Sequence, residues 1–374
     1  MIYLDNAATT SVFSEVAEEI AAVMKGSYGN PSSLYGYGLQ SRKIVDQSRA
    51  KLAKVIGCDP AEVYFTSCGT ESNNLAILGS ARARRSWGNK ILVSGFEHPS
   101  VQNTVASLTE EGFEVIVIPP EKDGTVSLER FLQEVDRRTV LVTCMRVNNE
   151  TGALIDVSKL AREVKEINSR TAFHCDAVQS FMKHQTVLDG SIDTMSMSGH
   201  KIHGPKGIGI LYVRKGFNLK RTQFGGGQEK GLRSGTENVP YIAGLAKAVE
   251  RIGSIQQNLK QVKECRDALW QGVCDLPVVV KNSPENSSPY ILNLSVLGFR
   301  SETLLHFLES REVLVSSGSA CSKGEKSHTL EAMNVDGERL DSALRFSFSS
   351  LTTREEAEKA ALAVREAVST LERK

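Results

Sequence analysis

The sequence predicts an α/β protein with a mostly parallel sheet in a large domain and a smaller α+β domain beside it. Three observations carry this. Between residues 60 and 215 short apolar runs rich in β-branched residues alternate with amphipathic segments, as expected when parallel strands are joined through helices that cover the sheet. After the glycine-rich stretch FGGGQEKGLRSGTENV (224–239) that alternation stops and a long helical pattern takes over. Finally, 374 residues with 40% apolar side chains are enough to fill more than one core.

In chain order, the expected strands of the large domain are EVYFTS, KILVSG, FEVIVIP, TVLVTCMRV, TAFHCDAV, DTMSMSG and GIGILYV. Helical spacing predicts helices over 73–86, 101–111 and 157–168 between them. A single long helix is expected over about 240–272. It is followed by PVVV, the polar loop KNSPENSSP, YILNLSV, a helix near 302–310, VLVSSGSAC, ALRFSFS and a last amphipathic helix from Arg354 to Arg373. The domains are placed at 14–255 for the large unit, and at 1–13 with 256–374 for the small one. No internal repeat is visible, which removes the solenoid class.

Composition excludes several functions. With 45 basic and 44 acidic side chains the formal net charge is +1, so neither nucleic acid nor an anionic membrane surface is an expected partner. No run of 18 apolar residues occurs, and MIYLDNAATT lacks the basic start and apolar stretch of a signal peptide, so a cytoplasmic protein is expected. The seven cysteines include no C-x-x-C pair, which argues against a disulfide framework and a zinc site, and no metal is expected. Most of them sit in apolar patterns, as small buried hydrophobes do. Cys321, in the small polar stretch SSGSACSKGEKSH, does not.

Ligands of parallel sheets gather at the carboxyl ends of the strands. In TSCGTES, Gly69 and Thr70 lie where a strand turns into a helix, and free N–H groups there favour an anion. An ordinary N-cap threonine would look the same. GFEHPS ends a strand at His98, RVNNETG at Asn148 and Asn149, and HCDAVQS at Asp176 with Gln179 one turn on; SGHKIHGPKG ends another with Ser198, His200 and Lys201. A carboxylate, a lysine amine, an imidazole and a phosphate cradle together suit pyridoxal 5′-phosphate. Its aldehyde condenses with a lysine, its ring nitrogen needs a carboxylate and its phosphate needs hydroxyls and N–H groups. This assigns Lys201 to the aldehyde, Asp176 to the ring nitrogen, His98 to the ring face, and Thr70, Ser198 and His200 to the phosphate.

The strings YLDNAATT, GNPSS, TSCGTESNN, EHPSV, VNNETG, HCDAVQS, SGHKIHGPKGIG, GGGQEKGLRSGTEN, SSGSAC and LRFSFS follow one another along nearly the whole chain. In this it resembles the cysteine desulfurases of the NifS/IscS type, within the fold-type I, class V aminotransferase superfamily. The resemblance implies a pyridoxal phosphate enzyme converting L-cysteine to L-alanine, with the sulfur passed to an enzyme cysteine as a persulfide. That sulfur would serve a separate acceptor protein for iron-sulfur clusters, thio-cofactors or tRNA thiolation.

Carried over by residue, the resemblance implies that Lys201 holds the cofactor, Asp176 pairs with its ring nitrogen, Gln179 bonds its ring hydroxyl, and His98 stacks and moves protons. Asn149 would position cofactor or substrate. Thr70, Ser198 and His200, with Thr236 given across a homodimer interface, would hold the phosphate. Arg345, helped by Asn30, would grip the substrate carboxylate, for which a guanidinium fork is suited. Cys321 would be the sulfur-accepting thiol, on a stretch expected to be exposed and mobile, with Lys323 and Lys326 favouring the thiolate. Two departures stand out: Cys68 and Gly69 where relatives carry Gly-Ala, with Cys68 expected to pack in the core, and Arg146 where a histidine is common. The chain also stops at Lys374, soon after its last helix, which leaves the acceptor open. The alternatives are a selenocysteine lyase, another C–S lyase or aminotransferase of the same fold, or a non-catalytic sulfur carrier. Lys201, Asp176 and His98 argue against the last, and Cys321 divides desulfurase from lyase.

Overall fold

The computed structural model describes residues 1–317 and 327–373. The chain opens with β1 (Ile2–Tyr3), α1 (Ser14–Gly26) and α2 (Gly36–Ile56). A seven-stranded sheet follows, built from β2 (Val63–Thr66), β3 (Lys90–Ser94), β4 (Glu114–Ile118), β5 (Thr139–Thr143), β6 (Ala172–Asp176), β7 (Thr194–Ser198) and β8 (Gly209–Val213). Their spatial order is β2-β8-β7-β6-β5-β3-β4. Every pairing is parallel except those of β8, which runs antiparallel to both β2 and β7. The connections are α3 (Gly69–Ala83), α4 (Pro99–Ser107), α5 (Leu128–Glu134) and α6 (Val157–Ile167). All residues of β3, β5, β6, β7 and β8 are buried, which is why these strands read as continuous apolar or small-residue runs rather than alternating ones.

All seven strands expected in this domain form, and the helices shift only at their ends. The long helix expected over 240–272 does not form as one piece. It breaks into α7 (Val239–Ile252) and α8 (Ile255–Gln271). Gly253 adopts φ +71°, open to glycine at little cost, and the Ser254 hydroxyl accepts from the Gln257 N–H to start the second helix.

Beyond α8 lie β9 (Val279–Lys281), β10 (Ile291–Val296), α9 (Ser301–Ser310), β11 (Val313–Leu314), α10 (His328–Ala332), α11 (Gly337–Asp341), β12 (Ala343–Ser347) and α12 (Arg354–Thr370). Strands β12, β10 and β9 make an antiparallel sheet, and β1 pairs in parallel with β11. Helix α12 buries Ala357, Ala360, Ala361, Val364 and Ala367, a stripe at helical spacing. It shares a core with Val262 and Leu269 of α8, with β10 and β12, and with Leu4 and Ala7 from the start of the chain. Each fully buried valine or leucine side chain there contributes about 1.5–3 kcal/mol. The amino-terminal strap is thereby held against β12, and its next residues pass directly over the carboxyl ends of the large sheet. No described helix is long and apolar enough to cross a membrane.

Candidate active site

The ends of β2, β3, β5, β6 and β7 converge on a cavity of about 210 Å³. At the end of β6, Asp176 is buried, and its Oδ1 accepts from the Val178 N–H at 2.9 Å. Its Oδ2 accepts at 2.9 Å from Nδ2 of Asn73, whose Oδ1 in turn takes a hydrogen bond from His174 Nε2 at 3.0 Å. His174 is fully enclosed, and burial pushes its pKa down to about 3, so it donates as a neutral ring. Asp176 is thus fixed from behind by a neutral relay.

Lys201 ends the short turn that follows β7. Its Nζ donates to the carbonyls of Ala7 and Ala8, at 2.6 and 2.7 Å, so the strap supplies the amine's acceptors. Gln179 donates to the same Ala7 oxygen at 2.9 Å.

One part of the wall is a cradle. Helix α3 begins at Gly69 with no side-chain cap on its first turn. A Cβ at Gly69 would lie 2.7 Å from Val178 Cγ2, so a side chain here would require Val178 to shift, and glycine lets the backbone approach without that. Thr70, Ser198 and His200 line the same cavity. The Ser198 hydroxyl is buried without a hydrogen-bond partner among the described residues, a state that a ligand oxygen would relieve. Burial, followed by the charges of Lys201, Lys206 and Lys183, lowers the His200 pKa to about 4.

His98 caps α4: its Nδ1 accepts from the Ser100 N–H at 3.1 Å, which leaves Nε2 to carry the proton of the neutral ring. Burial lowers its pKa, opposed by Asp176. Glu97 beside it is buried, and desolvation together with the nearby Asp176 raises its pKa well above the carboxylate range. The Asn149 carbonyl accepts from Arg345 Nη1 at 2.9 Å, and Arg345 Nη2 donates to Asp5 Oδ1 at 2.8 Å. Arg345 is 1% exposed, and its Nε has no partner among the described residues.

Ten of the thirteen residues expected from sequence therefore line one cavity: Gly69, Thr70, His98, Asn149, Asp176, Gln179, Ser198, His200, Lys201 and Arg345. Asn30 and Thr236 do not. Both are exposed in this chain, and the Asn30 side chain accepts from the Ser32 N–H in a local turn. Cys321 lies outside the described residues. The expectation for Cys68 is corrected: it is half-buried and lines the cavity, because as the residue just before α3 it sits at the sheet edge rather than under it. Arg146 points elsewhere, donating to Thr186 Oγ1 at 2.6 Å. Asn73, Ser100 and the Ala7 and Ala8 carbonyls were missed. Asn73 lies one turn beyond Gly69 on α3, the single sequence signal that could have found it.

The model of the class-V aminotransferase family matches residues 2–359. A cysteine desulfurase IscS of Serratia proteamaculans is 39% identical over 381 residues, covering 99% of this chain and 93% of the relative. The chain belongs to the NifS/IscS cysteine desulfurases. Among solved structures, a NifS-like protein superposes with a TM-score of 0.93 at 37% identity, covering 99% of this chain and all of that one. SspA in complex with cysteine superposes with a TM-score of 0.83 at 32% identity, covering 94% of this chain and 99% of that one. NifS/IscS membership implies a pyridoxal phosphate cofactor. The residues present fit one: the Lys201 amine and the Asp176 carboxylate share the cavity with the Gly69 cradle and the unpartnered Ser198 hydroxyl.

Proposed function

We propose that this protein is a cysteine desulfurase that converts L-cysteine to L-alanine and moves the sulfur onto Cys321 as a persulfide. The observation that carries it is the meeting, in one cavity, of Lys201, Asp176 and Arg345, with the sequence supplying a thiol in a polar stretch at Cys321. Bound pyridoxal phosphate supplies the electron sink that lets the substrate α-carbon release its proton. In this reading Lys201 holds the cofactor and takes that proton at Nζ. Asp176, fixed by Asn73 and the Val178 N–H, keeps the ring nitrogen protonated. His98 covers the ring and passes protons from Nε2, and Gln179 bonds the ring hydroxyl. Gly69, Thr70, Ser198 and His200 hold the phosphate. Arg345 grips the substrate carboxylate, with Asn149 beside it.

The Cys321 thiolate then attacks the substrate sulfur. An S–S bond forms as the Cβ–S bond breaks, and the electron pair left on the substrate is matched by a proton to give alanine. Thr236, exposed in the single chain, is assigned to a homodimer in which it reaches the phosphate site of the other copy, while Asn30 is assigned to help Arg345 at the substrate carboxylate. A sulfur-acceptor protein for iron-sulfur clusters, thio-cofactors or tRNA thiolation completes the reaction.

The test is to incubate the protein with L-cysteine and a reducing thiol, measuring alanine and persulfide together. Equal early yields are expected, with one added sulfur atom on the peptide that contains Cys321. Cys321→Ala should bind cysteine yet lose alanine formation by about two orders of magnitude or more, as when one member of a catalytic unit is removed. Alanine and sulfide at near wild-type rate in that variant would move the protein to the lyases. Sulfur found on Cys68 would move the chemistry inside the cavity.

A further inference from the structure

Lys183 is a buried lysine to which the proposed chemistry gives no task. It lies in the turn after β6 and is 7% exposed. Its Nζ donates to Gln179 Oε1 at 3.3 Å and stands 5.5 Å from the centroid of the buried Tyr290 ring. The residue before it, Met182, adopts φ +58°, a conformation that a non-glycine side chain reaches only at a cost of about 1–2 kcal/mol. The chain thus accepts backbone strain beside a buried lysine. The groups facing its ammonium are Lys201 and Arg345, which repel it, with His184, His200, His203 and Tyr290. Among the described residues none of its hydrogen-bond or ion-pair partners is a carboxylate. Such a placement is unfavourable for the fold, so its use must be sought in the contact it makes.

That contact is with a cavity-lining amide. An ammonium offers three donors and no acceptor, and a main-chain carbonyl only accepts. Gln179 lies between one of each, Lys183 Nζ at its Oε1 and Ala7 O at its Nε2. While Lys183 is charged, both neighbours require the same orientation, and the flipped amide would oppose donor to donor and acceptor to acceptor. Ala7 O also accepts from Lys201, so Lys183, Gln179 and Lys201 are joined through one oxygen.

We propose that Lys183 is a positioning residue that locks the Gln179 amide with its NH2 toward the cavity, so that this group donates to an anionic ring oxygen of the bound cofactor. This rests on the cofactor reading above and deepens it: Lys183 sets the site's preference for a ring hydroxyl without touching the cofactor. Burial, then repulsion from Lys201 and Arg345, lowers its pKa to about 7, the cost accepted for holding a donor there.

The test measures binding rather than turnover. Cofactor-stripped protein is titrated with pyridoxal 5′-phosphate and with 3-deoxypyridoxal 5′-phosphate, which lacks the ring hydroxyl. Wild type should prefer the first. Lys183→Met should weaken it by about tenfold, the loss of one charge-assisted hydrogen bond, while the deoxy analogue binds within about twofold of wild type. Gln179→Leu should lose the same preference, and the double variant should be no worse than Gln179→Leu alone. If Lys183→Met does not fold, Lys183→Gln carries the same expectation. Equal weakening of both ligands would show a packing role and overturn the proposal, as would no weakening of either. Wild type that binds both equally would overturn it while leaving the cofactor and Cys321 assignments standing. Wild type that binds neither would overturn the cofactor reading itself.

Discussion

Asn73 donates to Asp176 at 2.9 Å while the neutral His174 ring donates to Asn73 at 3.0 Å. The carboxylate that faces the cavity is therefore oriented by an amide that has no other way to turn. A hydrogen bond to a charged group contributes about 1.5–3 kcal/mol. Asn73→Ala is expected to weaken pyridoxal phosphate binding about tenfold or more, with melting temperature as the control for folding. Affinity within twofold of wild type would show that Val178 alone suffices to hold Asp176.

Lys201 should be the site of covalent capture. Borohydride reduction of the loaded protein followed by peptide mapping is expected to place the added mass on Lys201, and Lys201→Ala should lose both the label and turnover. Label on Lys206 instead would require a different register for the turn after β7.

Arg345 is both clamp and strut. Arg345→Lys keeps a charge but cannot span Asp5 and Asn149 as a fork does. The expected outcome is a KM for L-cysteine raised about tenfold or more, with cofactor loading unchanged. Arg345→Ala should also lower the melting temperature, because it leaves Asp5 without its partner. An unchanged KM in the lysine variant would remove Arg345 from substrate binding.

The cysteines make an accessibility series. Cys274 is exposed, Cys68 is half-buried in the cavity wall, and Cys144 and Cys175 are buried. A small neutral alkylating reagent should label Cys274 in every state, Cys68 only when the cofactor has been stripped, and the buried pair only on unfolding. Cys68 labelled equally with and without pyridoxal phosphate would place the cofactor elsewhere.

Acid should destabilise the stripped protein before its carboxylates titrate. Burial lowers His174 to about 3, and His184 and His200 to about 4. Below the ordinary value of 6.5 the unfolded chain gains protons that the native state refuses, so stability falls as pH drops from 6.5 toward 4. His98 and His203, also lowered by burial, act in the same direction, and Glu97, raised in the native state, opposes them with one group against five. Lys183 shows the same logic at higher pH: its penalty is full below about 7 and is relieved as pH rises toward 10.5. Lys183→Met should therefore melt higher than wild type at pH 6, with the difference shrinking above pH 8. Melting curves across pH 4.5–9.5 check both, and flat profiles would contradict them.

What was legible in the sequence follows from what each residue type reveals. The buried strands announced themselves because runs such as KILVS and GILYV have no polar face to display. Asp176, His98 and Lys201 could be collected because each stands at the end of such a run. The break at Gly253 was overlooked because the apolar spacing on either side carries on through it. Asn73 and Lys183 were not legible, since a helical asparagine and a lysine are ordinarily solvent-facing and only tertiary packing turns them inward. The Ala7 and Ala8 carbonyls leave no trace in a sequence at all, because any residue has one.

The strap that brings those carbonyls to Lys201 also sets an order of events during synthesis. Leu4, Asn6 and Ala7 bond to Ser347 of β12, some 340 residues away, so these residues must wait for a strand made some 340 positions later before they find their place. The large sheet can assemble earlier, but the Ala7 and Ala8 carbonyls reach Lys201 only once β12 is made. Nascent chains arrested before Ala343 should therefore fail to take up pyridoxal phosphate, while those released after Ser349 should acquire its colour. Colour gained at the shorter length would mean that the strap docks without its strand.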